Sequence, residues 1–132
     1  MDRPQLIDSL SRIVGQHHVI HRPEQLLVYE TDGLTAFHQM PEVVVLPETT
    51  DQVSGVLRFC SQNGVPFVPR GKGTGLSGGA LPVEGAVVIS TECMRQILEV
   101  DLENQRAVVE PGVINLWVTQ AVAGQGYYFA PD

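Results

Sequence analysis

The sequence predicts an α+β fold with an α/β-like core, in which a small mixed or parallel sheet is flanked by helices. Residues 41–47 (PEVVVLP) hold three consecutive valines between prolines, a pattern typical of a buried strand. The apolar runs at residues 65–69 (VPFVP) and 85–91 (GAVVIST) predict two further strands. A predicted helix separates the first two runs. Such a strand–helix–strand unit makes the two strands parallel, and we expect them to be neighbours in the sheet.

Two amphipathic helices are predicted from the spacing of apolar residues. Residues 5–14 (QLIDSLSRIV) carry apolar side chains at helical intervals and are followed by Gly15, a residue that ends helices. The second helix lies between the first two strands. Thr49 and Gln52 have the spacing of a capping box at its start, and Gly64 occupies the position of a C-cap.

The amino-terminal region differs in character from the rest of the chain. After the first helix, the stretch PEQLLVYETD predicts a short helix beginning near Pro23. We therefore expect residues 1–38 to form an amino-terminal helical segment and residues 39–132 to form the sheet-containing domain.

The carboxy-terminal third predicts a hairpin followed by a helix. ILEVDLENQRAVVEPGV (residues 97–113) is interpreted as two strands around a turn at residues 103–105. Asn115 is the expected cap of a helix that ends at Gly124 or Gly126, and the remaining YYFAPD is expected to be extended.

Composition limits the classes of partner. The 132 residues are 43% hydrophobic, with a formal net charge of −7 and an isoelectric point of about 4.9. This acidic balance argues against nucleic acid or an anionic membrane as the main partner. No apolar run approaches the roughly 20 residues of a transmembrane segment. Cys60 and Cys93 lack a CxxC spacing and predict buried reduced thiols, which suits a cytoplasmic protein.

The four histidines raise the question of a metal site. His17 and His21 have the spacing of a helical zinc pair, but Gly15 and Pro23 leave little helix to hold them. We therefore predict surface or hydrogen-bonding histidines and no metal.

The most distinctive stretch is PRGKGTGLSGG (residues 69–79), which holds five glycines in eleven residues. It contains GxGxxG, but Pro82, Gly85 and a strand follow where a dinucleotide-binding motif needs a helix. A P-loop is also excluded, because no Ser or Thr follows Lys72. The surviving interpretation is a nest of backbone N–H groups that binds a diphosphate, and the alternative is a simple glycine-rich connection.

The polar residues of this loop suit the first interpretation. The hydroxyls of Thr74 and Ser77 add donors, and Arg70 adds a fixed positive charge. The loop lies between two predicted buried strands and follows the carboxyl end of the first. In α/β folds, ligands bind at the carboxyl ends of strands.

The loop and its flanking segments resemble the first half of a PCMH-type FAD-binding domain. These segments are PEVVVLPETTDQVSGVLRFCSQNGVPFV before the loop, and VEPGV and GYYFAPD after it. This domain belongs to the vanillyl-alcohol-oxidase flavoprotein family. The resemblance covers residues 32–132 and is nearest to the branch with the glycolate oxidase FAD subunit and D-lactate dehydrogenase-like enzymes. It implies that the loop wraps the FAD pyrophosphate, through Pro69, Arg70, Gly71, Gly73, Thr74, Gly75, Ser77, Gly78 and Gly79.

The resemblance also implies further features of the site. Pro111 and Gly112 would lie beside the flavin, and Pro131 and Asp132 would begin a segment that continues over the cofactor. Thr74 stands where some relatives attach FAD to a histidine, so non-covalent FAD is expected.

The function implied is oxidation of a 2-hydroxy acid, of glycolate or D-lactate type, to the 2-oxo acid by hydride transfer to the flavin. The family's second FAD subdomain and cap domain lie beyond residue 132, so we expect this chain alone to be inactive. We further expect other oxidase subunits as partners and a homodimer formed through exposed faces. The expected location is the cytoplasm or the inner face of the membrane. The alternatives are a non-catalytic nucleotide- or diphosphate-binding module and a structural remnant with an empty loop.

Overall fold

The computed structural model describes residues 1–130 and divides the chain into two compact units, Met1–Cys93 and Met94–Asp132. The first unit contains α1 (Arg3–Val14), β1 (Val19–Ile20), α2 (Pro23–Leu26), β2 (Val43–Val45), α3 (Thr50–Asn63), β3 (Phe67–Arg70) and β4 (Val87–Ser90). The second contains β5 (Ile97–Asp101), β6 (Arg106–Val109) and α4 (Asn115–Val122). Short 3-10 helices cover Gln16–His18, Leu27–Tyr29 and Ala123–Gln125.

The two long helices begin and end where the sequence predicts. Helix α1 starts after Asp2 and ends at Gly15, whose φ is 92°. At the start of α3, the Thr49 side chain accepts a hydrogen bond from the Gln52 N–H at 3.2 Å. Gly64 ends the helix in the left-handed conformation, with a φ of 63°.

The sheet of the first unit has the strand order β1-β2-β4-β3. Strands β2, β4 and β3 are parallel, and β1, which the sequence did not predict, is antiparallel to β2. The predicted mixed sheet is confirmed, but the expectation that β2 and β3 are neighbours was wrong, because β4 lies between them. All four residues of β4 are buried, whereas β3 is largely exposed. The more apolar strand therefore takes the central place and β3 forms the edge.

Helices cover the sheet and bury its valines. On one face, side chains of the sheet and of α1 and α3 form a shared core, which comprises Leu6, Leu10, Val14, Val19, Val43, Val45, Val56, Cys60, Val87 and Ile89. On the other face, Val44 and Val88 pack with Leu26 of α2. Alternate residues of each strand point to opposite faces, so the consecutive valines of β2 are all buried.

In the second unit, β5 and β6 form the predicted antiparallel hairpin, and Gln105 in its turn has a φ of 53°. The expectation that Asn115 caps α4 was wrong. Ile114 holds the cap position with an extended backbone, so Asn115 is already the first helical residue. The 3-10 helix that follows α4 ends at Gly126, whose φ is 81°.

The structure also gives the surroundings of the cysteines and histidines. Cys60 is buried, as predicted, but Cys93 is only half-buried. His18 Nδ1 lies 3.0 Å from the Val14 carbonyl, and His38 Nδ1 lies 3.3 Å from a Glu30 carboxylate oxygen. Among residues 1–130, no three metal-binding side chains come together, and no helix is long and apolar enough to cross a membrane.

Candidate functional site

The glycine-rich loop leaves the sheet at the carboxyl end of strand β3. Arg70 is the last residue of β3 and pairs with Ser90 at the end of β4. From residue 71 to residue 86 the described chain has neither helix nor strand, and β4 is the next regular element. The prediction that no helix begins within the GxGxxG string is therefore confirmed. The loop lies where parallel strands end, the edge at which open α/β sheets bind ligands.

Arg70 anchors the start of the loop from inside the protein. Its side chain is buried, and Nη1 donates to the Thr31 carbonyl at 2.6 Å while Nη2 donates to the Val28 carbonyl at 3.3 Å. The guanidinium also lies 5.3 Å from the centre of the Tyr29 ring, within the range of a cation–π contact. The guanidinium thus donates two hydrogen bonds to carbonyls of residues 28–31, a role that the sequence did not suggest.

Two glycines of the loop are required by the protein itself. Gly73 has a φ of 70°, and a Cβ there would overlap the Arg70 guanidinium. Gly78 has a φ of 76°. Both are left-handed conformations, which residues with a side chain rarely adopt. Gly33, outside the loop, is equally constrained, because a Cβ there would lie 2.6 Å from the Thr74 carbonyl oxygen.

The other three glycines have no such reason within the protein. A Cβ on Gly71, Gly75 or Gly79 would meet no atom within 4 Å, and none of the three has a positive φ. The described chain therefore has room for a methyl group at each of the three positions. Glycine at such positions leaves the backbone accessible to a group outside the chain. The open space beside these three glycines leaves room for the predicted diphosphate.

The loop also presents suitable donors. Thr74 and Ser77 are exposed, as the predicted hydroxyl donors should be. Within residues 1–130, the backbone N–H groups from Lys72 to Ser77 donate to no other protein group. The Lys72 ammonium lies 3.5 Å from a carboxylate oxygen of Glu92, at the side of the loop. Backbone N–H groups and one nearby cation are the chemistry that binds phosphate oxygens.

Glu92 also accepts a hydrogen bond from the Tyr29 hydroxyl at 2.8 Å. Burial, reinforced by this hydrogen bond and by the negative charge of Glu92, raises the pKa of Tyr29 far above its ordinary value. Tyr29 is therefore a neutral donor, and it connects Glu92 to the anchored Arg70.

Sequence reasoning missed Asp32, which is buried beneath the loop. Its Oδ2 accepts a hydrogen bond from the Gly78 N–H at 2.9 Å, and the neighbouring Gly33 N–H donates to the Gly75 carbonyl at 2.9 Å. The dipeptide Asp32-Gly33 is a turn signal in the sequence. Nothing local, however, places this turn against a loop more than 40 residues later in the chain.

The remaining predicted site residues lie in strand β3, in the second unit or outside the described residues. Pro69 is an exposed residue of β3. In the second unit, Pro111 and Gly112 follow strand β6, and the Gly112 N–H donates to the Met94 carbonyl at 2.8 Å. Pro131 and Asp132 lie outside the described residues. Residues 71–79 thus lie in one loop that follows β3, while Pro111 and Gly112 lie in a turn that follows β6.

Residues 41–132 match the model of a protein family described as the FAD binding domain. The chain belongs to this family. FAD is accordingly the cofactor of the domain. In the folded protein, the match includes β2, α3, the glycine-rich loop and the hairpin.

Curated relatives agree with the resemblance seen in the sequence. The chain is 42% identical to the glycolate oxidase subunit GlcD of Escherichia coli over 132 residues, which is 100% of this chain and 26% of that protein. It is 34% identical to a D-2-hydroxyglutarate dehydrogenase of Stutzerimonas stutzeri over 100% of this chain and 28% of that protein. It is 39% identical to a D-lactate dehydrogenase of Archaeoglobus fulgidus over 95% of this chain and 28% of that protein. The chain therefore spans little more than a quarter of the length of these relatives.

A solved structure shows the same fold. The crystal structure of p-cresol methylhydroxylase with substrate bound superposes with a TM-score of 0.81 at 25% identity, over 93% of this chain and 25% of that chain. The predicted PCMH-type FAD-binding fold is thus confirmed.

Proposed function

We propose that this chain holds the diphosphate of FAD in a flavin-dependent oxidoreductase that converts a 2-hydroxy acid into a 2-oxo acid. The observation that carries the proposal is the set of three glycines, Gly71, Gly75 and Gly79, that no contact within the described chain requires. They leave room for phosphate oxygens to approach the backbone between Lys72 and Ser77. The bound flavin would supply the hydride acceptor.

The residues of this chain would bind and orient the cofactor. The proposed contacts are those inferred from the sequence: Pro69, Arg70, Gly71, Gly73, Thr74, Gly75, Ser77, Gly78, Gly79, Pro111, Gly112, Pro131 and Asp132. Among them, Arg70 acts from beneath the loop, because its guanidinium is bonded to residues 28–31. Thr74 has a hydroxyl where a covalent attachment needs a histidine, which supports non-covalent FAD.

The substrate class rests on the names of the relatives. Glycolate, D-lactate and D-2-hydroxyglutarate are all 2-hydroxy acids, and all three occur in the names of relatives at 34–42% identity. We extend this class, and partnership with other oxidase subunits, to the whole protein that carries this chain. A reducing compartment such as the cytoplasm suits the free thiols of Cys60 and Cys93.

The first test is titration of the purified protein with FAD, and with ADP as the comparison, by isothermal calorimetry. A Gly75→Ala variant should bind FAD about 10-fold or more weakly, since its methyl group would occupy space near the phosphate oxygens. The unliganded variant should be as stable as wild type or slightly more stable, because the methyl meets no protein atom.

Gly124→Ala is the matched control. Gly124 likewise has open space around its Cα and no positive φ, but it lies in the second unit, away from the loop in sequence. It should leave FAD affinity unchanged. Equal affinities for FAD in wild type and Gly75→Ala would contradict the proposal, and equal binding of ADP and FAD by wild type would favour a general nucleotide-binding module.

A further inference from the structure

Asp32 is a buried acidic residue whose two carboxylate oxygens are both used. Oδ1 accepts a hydrogen bond from the Leu34 N–H at 2.8 Å, and Oδ2 accepts one from the Gly78 N–H at 2.9 Å. Only 6% of the residue is exposed. The first bond closes a local turn, whereas the second reaches a residue 46 positions later in the chain. A buried carboxylate bonded in this way is costly to remove or to move.

The segment around Asp32 contacts the loop at several points. The Gly33 N–H donates to the Gly75 carbonyl, and Arg70 donates to the Val28 and Thr31 carbonyls. With the Asp32–Gly78 bond, four hydrogen bonds join residues 28–33 to residues 70–78. We propose that Asp32 is a positioning residue that holds the glycine-rich loop in its diphosphate-binding conformation. This inference rests on the proposed function.

The role follows from what the carboxylate does to the backbone. By accepting the Gly78 N–H, Asp32 fixes the peptide at one of the two left-handed turning points of the loop. Gly33 fixes the carbonyl of Gly75 in the same way. The loop between Lys72 and Ser77 is then held at its base, and its N–H groups need little further ordering when a ligand binds. A preformed loop binds more tightly because less conformational entropy is lost on binding.

The negative charge of Asp32, considered alone, predicts weaker rather than tighter binding of a diphosphate. A carboxylate near a diphosphate repels it, so removing the negative charge of Asp32 would strengthen binding if charge were its main contribution. If Asp32 acts by positioning, removing its acceptor capacity weakens binding. The sign of the change in affinity therefore separates the two roles.

The decisive variant is Asp32→Asn, studied by FAD and ADP titration. Asparagine has one acceptor oxygen, so one of the two N–H groups would face an NH₂ group instead. We expect FAD and ADP to bind about 10-fold more weakly, by the same factor, since both carry a diphosphate and the lost bond is to a charged acceptor. Asp51→Asn, which makes the same change at an exposed position in the first turn of α3, should leave both affinities unchanged.

Asp32→Ser provides a second variant. A serine hydroxyl retains the local turn to residue 34 but is too short to reach Gly78. It should therefore weaken FAD binding to a similar extent. Affinities in both variants equal to or tighter than wild type would overturn the inference while leaving the proposed function intact. A wild-type protein that binds no FAD would overturn the proposed function and the inference together.

Amide hydrogen exchange tests the same contact in the unmodified protein. Without ligand, the Gly78 amide should exchange more slowly than the amides from Lys72 to Ser77, which have no protein acceptor among residues 1–130. Equally fast exchange at Gly78 would show that the loop is not held and would overturn the inference.

Discussion

Glu92 connects the charged and aromatic residues beside the glycine-rich loop. One carboxylate oxygen accepts the Tyr29 hydroxyl at 2.8 Å, and the other lies 3.5 Å from the Lys72 ammonium. The Lys72 side chain is 43% exposed, so this ion pair adds little to stability by itself. The Tyr29 bond is of greater consequence, because it is partly buried and its acceptor is charged. It joins the end of β4 to the segment that Arg70 anchors.

The pH dependence of stability should report the raised pKa of Tyr29. Unfolded Tyr29 loses its proton near its ordinary pKa of 10.0, whereas burial, together with Glu92, raises the pKa in the folded protein. The stabilisation is therefore complete below pH 10 and is lost as the pH rises above 10. Tyr29→Phe should be about 1 kcal/mol less stable at pH 7. Above pH 10, the free energy of unfolding of this variant should fall less steeply with pH than that of wild type. Urea denaturation measures both.

Tyr128→Phe is the control for this prediction. Tyr128 is 75% exposed and should contribute no comparable difference. Identical slopes of unfolding free energy against pH for wild type and Tyr29→Phe would show that neither burial nor Glu92 raises the pKa of Tyr29 in solution.

Helix α3 positions the loop, because it carries the chain from β2 to the start of β3. Its start is stabilised by two side chains: Thr49 accepts from the Gln52 N–H, and Gln52 Oε1 accepts from the Glu48 N–H at 2.7 Å. The second bond differs from a standard capping box, in which the glutamine would accept from Thr49. Both bonds satisfy N–H groups near the start of the helix, which have no partner within it.

Removing the cap should weaken the whole first unit. Thr49→Ala should lower the free energy of unfolding by about 1 kcal/mol, as loss of an N-cap usually does. Chemical denaturation measures this change. Thr50→Ala, one residue further along, removes the same atoms from an exposed helical position without a capping bond and should have a smaller effect. Equal destabilisation by the two substitutions would show that the cap contributes nothing.

The stability of the first unit as a whole is concentrated in the core shared by α1, α3 and the sheet. Cys60 lies in this core and is completely buried, and burial raises the pKa of its thiol. Both effects make the thiol unreactive, since reagents attack the thiolate and require access to it. Its reactivity is therefore a measure of how often the core opens.

Thiol labelling of a Cys93→Ser variant should reveal this protection. With Cys60 as the remaining thiol, labelling under native conditions should be at least about a thousandfold slower than in urea, given the free energies of unfolding typical of domains. Native labelling at the rate found in urea would contradict the packing of α3 on the sheet.

Much of the molecule follows from local features of the sequence. The limits of α1 and α3 are set by apolar spacing and by residues such as Thr49 and Gly64, whose preferences depend on their own backbone. The hairpin around Gln105 and the absence of a helix after Gly78 are local in the same sense. The glycine-rich loop and its surroundings also sufficed to identify the family. The preference of asparagine for helix caps was misleading at Asn115, because α4 begins at Asn115 itself, one residue earlier than predicted.

Features that join distant segments could not be predicted in this way. Three such features depend on which segments pack together. They are the central place of β4, the direction of the Arg70 guanidinium and the burial of Asp32 against Gly78. Sequence spacing constrains neighbours along a helix or strand, but contacts across 40 residues depend on the free energy of the whole core. The sequence therefore specified the loop and its kind of ligand. The folded chain showed which of its glycines the fold requires, and which buried residues form hydrogen bonds with the loop.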